Sequence, residues 1–119
     1  YNLAISDKKG KAILYSNTPN TGSNSLIQPL GTPCEVETTT LDEFLKEDCD
    51  FLKMDCEGSE YEIIMSLKDF SKIKYIVAEL HFEYSKQAEI INKLKEYYWV
   101  EVVPDDGKDG DRIIYCIKK

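Results

Sequence analysis

The chain has 119 residues, enough for one hydrophobic core and too few for two ordinary domains. Its composition, 42% hydrophobic and 31% charged, is that of a soluble globular protein, and no apolar run approaches the ~20 residues that span a bilayer, which argues against a membrane-inserted chain. A net charge of -7, with lysines scattered singly, repels phosphate backbones and argues against a nucleic-acid binder.

The chain begins at Tyr1, with no signal peptide, directly before a strand-like run, and so reads as starting within a longer protein. "YNLAIS" and "KAILY" flank the turn "DKKG", and the pattern predicts a hairpin from Asn2 to Tyr15. Ser16 to Pro33 is rich in Ser, Thr, Asn, Gly and Pro and predicts a long exposed loop, either a surface excursion or a substrate lid. Val36 to Thr39 is β-prone, Thr40 suits a helix cap, and a short helix is expected from Leu41 to Lys46. A buried strand, Phe51 to Asp55, then leads through Cys56 to Ser59 into a helix reaching Lys68, with Tyr61, Ile64, Met65 and Leu67 on its apolar face.

"KYIVAELHF" predicts a second buried strand, and Ile90, Ile91, Leu94, Tyr97 and Tyr98 recur at helical spacing after it. "WVEVV", a turn "PDDGKDGD" and "RIIYCIK" form an antiparallel pair, with Tyr97, Tyr98 and Trp99 expected in the core and at a helix end. Strands and helices alternate, and the central strands are apolar on both faces, which predicts an α/β domain: a mostly parallel sheet covered by helices and closed by an antiparallel hairpin. The four cysteines, Cys34, Cys49, Cys56 and Cys116, show no C-x-x-C pair, and the chain has a single histidine, so neither a zinc spacing nor a disulfide framework is indicated. They read as reduced thiols of a cytoplasmic protein.

Ligands in open α/β sheets lie beyond the carboxyl ends of the strands. Asp55 and Glu57 stand at that end of one strand, Glu79 and His81 at that end of the next, so adjacent strands would gather four ionisable groups. Such a cluster can supply a general base for a hydroxyl, His81 or Asp55, or can hold a divalent ion such as Mg²⁺ between Asp55 and Glu79. Gly58 suits a sharp turn or a close ligand approach, and Glu60 is expected to favour the positive end of the following helix. Cys56 reads as a small buried side chain.

"VETTTLDEFL" from Val36, "FLKMDCEGSEYEII" from Phe51 and "YIVAELH" from Tyr75 closely resemble the FkbM family of S-adenosylmethionine-dependent methyltransferases, and "NLAISDKKG" is similar to the segment that family places before them. The match runs from about Asn2 to His81, and its K-x-D-x-E-G-x-E-x-E core is specific. The resemblance implies a Rossmann-like class I methyltransferase sheet with an antiparallel C-terminal hairpin, and methyl transfer to a hydroxyl oxygen of a sugar or secondary metabolite. It implies that Asp55 lies near the methyl donor, that Glu57 and Gly58 line the site, that Glu79 and His81 face the acceptor, and that Asp7 lies near the adenine. The glycine-rich loop and the acid that hold the cofactor in class I enzymes are missing, so the family's first two strands are expected upstream of Tyr1 and the chain to be the C-terminal half to two thirds of the domain, a single unit from 1 to 119.

Two other readings follow from the residues. An acidic module without catalysis could bind Mg²⁺, Ca²⁺ or a basic protein surface through the same cluster. Exposed sheet edges could bring copies of the chain together. The partners expected otherwise are a small-molecule or glycan acceptor.

Overall fold

Seven strands in two sheets, with three helices, make up the computed structural model, which describes residues 1–16, 24–29, 31–81, 84–104 and 110–119. In chain order these are β1 (Ala4–Ile5), β2 (Gly10–Ser16), β3 (Thr32–Thr39), α1 (Leu41–Phe44), β4 (Cys49–Met54), α2 (Glu60–Ser66), a 3-10 turn (Phe70–Lys72), β5 (Ile73–Leu80), α3 (Tyr84–Lys95), β6 (Tyr98–Pro104) and β7 (Arg112–Lys118). The turn expected within "PDDGKDGD" falls largely outside the described residues, as does much of the loop after Ser16.

The smaller sheet has the order β1-β3-β2. The hairpin expected from Asn2 to Tyr15 does not form, because β3 lies between its two strands, parallel to β1 and antiparallel to β2. Length decides this: β1 offers two ladder positions, whereas β2 and β3 pair from Gly10↔Thr38 to Ser16↔Thr32. The larger sheet has the order β4-β5-β7-β6, with β4 parallel to β5 and β7 antiparallel to both its neighbours. The C-terminal antiparallel hairpin is therefore present, but antiparallel ladders outnumber parallel ones, and the fold is a mixed α/β arrangement instead of a mostly parallel sheet.

α2 and α3 pack over one face of the larger sheet, where Ile63, Ile64, Leu67, Ile90, Ile91 and Leu94 meet Met54, Ile76, Ala78, Leu80, Ile114 and Cys116. Removing these apolar side chains from water is the main stabilising term, about 1.5–3 kcal/mol for each large one. The buried face of α2 follows the spacing Glu60, Ile63, Ile64, Leu67; Met65, expected there, is exposed. The other sheet face is open: Phe51, Tyr75, Ile117 and Trp99 stand in one cross-strand row, all of them exposed. The run of apolar residues in β4 and β5 thus serves one covered face and one uncovered face.

α1 and α2 start close to where the sequence predicts and stop two residues short of the expected Lys46 and Lys68. Thr40 caps α1, its side-chain oxygen accepting from Glu43 N–H at 3.2 Å. β4 and β5 lie where the two apolar runs predict. Tyr98, however, opens β6 instead of closing α3; its ring is buried and its hydroxyl is shared between the carbonyls of Phe70 at 3.0 Å and Ile73 at 2.9 Å. Trp99 is 70% exposed and takes no part in the core.

Candidate active site

Asp55 follows the last residue of β4, and the chain then reverses through Glu57 and Gly58, both at positive φ (48° and 112°), before α2 starts at Glu60. Glycine adopts that region freely, while Glu57 is held there against its preference. Glu60 holds it there. That carboxylate has no exposed surface and accepts from Cys56 N–H at 2.7 Å and Gly58 N–H at 3.1 Å, bridging the turn from the inside. Ser25 fastens the same turn from outside: its hydroxyl donates to the Glu57 carbonyl at 2.8 Å and accepts from the N–H groups of Ile27 and Gln28, each at 3.1 Å. The stretch Ser16 to Pro33 is therefore pinned at Ser25, which is buried, and is not wholly a surface excursion.

β5 delivers the other half. The parallel register Lys53↔Val77 and Met54↔Ala78 brings the end of β4 beside Glu79, and His81 follows β5. His81 Nδ1 lies 3.1 Å from Glu60 Oε1, and Nε2 lies 3.3 Å from Glu79 Oε1 and 3.8 Å from Asp55 Oδ1. The imidazole side chain is 7% exposed, and Nε2 is buried with no hydrogen-bond partner among the described residues.

The hydrogen bond that His81 Nδ1–H donates to Glu60 raises the His81 pKa from 6.5 to about 9, against the opposing effect of burial and with further help from the charges of Glu60, Glu79 and Glu57. At neutral pH the ring is an imidazolium that offsets the surrounding carboxylates. The Cys56 thiol is pushed up to about 11, chiefly by burial and then by the charge of Glu60, so it is no nucleophile at neutral pH.

The structure thus gathers Asp55, Glu57, Gly58, Glu79 and His81 around one turn. Asp7 is elsewhere: it lines a separate cavity of about 500 Å³ with Thr40, Asp42, Met65 and Lys93, among others, and no member of the cluster lines that cavity. Glu60 stands in the first turn of α2 as expected, but its burial and its hold on the turn are what sequence reasoning missed. Its signal was its position two residues after Gly58, where a side chain on the inner face of α2 folds back over the turn.

A mixed α/β domain with an acid and histidine cluster beyond the ends of two adjacent parallel strands is the class defined so far. The family model described as the methyltransferase FkbM domain matches residues 1–101, and the chain belongs to the FkbM family of methyltransferases. Comparison with curated proteins and with solved structures gives no match.

Proposed function

We propose that the chain acts in S-adenosylmethionine-dependent O-methylation of a hydroxyl on a sugar or secondary metabolite, within a class I, Rossmann-like methyltransferase fold. Membership of the FkbM family supports methyl transfer. The order β4-β5-β7-β6, with a reversed β7 between β5 and β6, supports the fold reading. The single observation that carries the site is the approach of His81 Nε2 to Asp55 and Glu79 where β4 and β5 end.

The donor set suits a cationic cofactor: the carboxylates of Asp55, Glu57 and Glu79 surround a buried ring nitrogen that has no hydrogen-bond partner among the described residues. S-adenosylmethionine, when bound, supplies a sulfonium methyl open to in-line attack by a hydroxyl oxygen. Asp55, Glu57 and Glu79 favour positive charge at that place. Asp55, 3.8 Å from His81 Nε2, would accept the proton of the acceptor hydroxyl. Glu60 keeps the proton on Nδ1 and holds the ring in place. Alignment of hydroxyl and methyl does the rest, without covalent catalysis by the chain.

The test is transfer of a labelled methyl group from S-adenosylmethionine to a panel of hydroxylated sugars and secondary metabolites. Asp55→Asn should lower the rate about 100-fold or more, the usual cost of removing a group that works on the proton or on developing charge. Near-normal turnover in that variant removes Asp55 from the mechanism.

A further inference from the structure

We propose that the chain holds a divalent first-row transition-metal ion on His81 Nε2 and the carboxylates of Asp55 and Glu57, with Glu60 as the outer carboxylate that orients the imidazole. Each of the three residues offers one ligand atom, and these atoms lie within 4.8 Å of one another. An acidic cluster alone would mean little. Here the His81 side chain is 7% exposed, and its Nε2, buried and without a hydrogen-bond partner among the described residues, lies 3.8 Å from Asp55 Oδ1 and 3.3 Å from Glu79 Oε1. A dry ring nitrogen turned toward acids calls for a cation at that place, its own proton or a metal ion that replaces it.

The other nitrogen of the imidazole fits as well. Metal-bound imidazoles commonly donate their other N–H to a carboxylate, which fixes the tautomer, and Glu60 Oε1 at 3.1 Å from Nδ1 does this here. Glu60 itself is immobilised by the N–H groups of Cys56 and Gly58, so the ring, Asp55 and Glu57 are all referred to one turn. The nitrogen ligand selects for ions from Mn²⁺ to Zn²⁺ over Mg²⁺ and Ca²⁺, which take oxygen. A second grouping, Glu79, His81 and Asp111, shares the imidazole. The turn-bound pair is preferred because Glu60 and Ser25 hold the backbone that carries Glu57.

This site does not depend on methyl transfer, and it is tested without cofactor or acceptor. The full chain is titrated with Mn²⁺ alone, which largely ignores the thiols, while bound ion is counted by electron paramagnetic resonance and the imidazole is watched by NMR. The chain has a single histidine, so every imidazole signal belongs to His81. One Mn²⁺ should bind per chain and broaden those signals. Asp55→Asn and Glu57→Gln, both at positions with solvent contact, should keep the fold by circular dichroism and weaken binding at least tenfold, and Glu60→Gln should weaken it about 10–100-fold. Mg²⁺ at the same concentration should not compete. The proposal is overturned by no binding at millimolar Mn²⁺, by bound Mn²⁺ that leaves the imidazole sharp, by unchanged affinity in Asp55→Asn and Glu57→Gln, by loss of binding in Asp111→Asn alone, or by equal competition from Mg²⁺.

Discussion

Glu60 carries its charge with no solvent-exposed surface, and it is stable there because two backbone N–H groups and an imidazolium surround it. Glu60→Gln removes the charge while keeping the shape, so the His81 pKa should fall from about 9 back toward 6.5, read directly from NMR titration of the one histidine. The same pairing makes folding depend on pH. Because the folded-state pKa lies above the ordinary 6.5, the stabilisation is fully present below pH 6.5 and is lost as pH rises through about 9. Thermal denaturation across that window should show a falling midpoint in the wild type and a much flatter profile in Glu60→Gln. Asp55, Glu57, Gly58, Glu79 and His81 were legible from their places at strand ends. Glu60 was not, because a carboxylate early in a helix is ordinarily a solvated partner of the helix dipole, and only the reversal at Glu57 and Gly58 turns it inward.

At the scale of elements, β4 and β5 could be read from their apolar runs, and α3 from its helical period, because each pattern is local. The pairing of β1 and β2 could not, since a third strand, β3, competes for the same edges with a much longer ladder. Tyr98 shows the same limit: its helical spacing after Leu94 hid a role set by Phe70 and Ile73, far away in sequence. Its hydroxyl ties the start of β6 to the 3-10 turn and to β5, and burial lifts its pKa to about 12, so it remains a neutral donor. Tyr98→Phe should cost about 1–1.5 kcal/mol, measured by urea denaturation, with an unchanged slope.

For the whole molecule, helices on one face of the larger sheet leave Phe51, Tyr75, Ile117 and Trp99 in a solvent-facing row on the other. A row of large apolar side chains at that density should bind a hydrophobic dye, and Phe51→Lys should reduce the fluorescence without lowering stability, because its ring is 59% exposed. The apolar character of β4 and β5 was visible in the sequence, but which face is covered depends on both helices taking the same side, a property of the assembled chain. Among the described residues, no helix is long and apolar enough to cross a membrane. The three hydrogen bonds on the Ser25 hydroxyl make a mechanical link between the stretch after β2 and the backbone that presents Glu57. Exchanging that stretch therefore alters the backbone of the proposed reaction centre too, and a chimaera that omits a hydroxyl at this position should lose methyl-transfer rate.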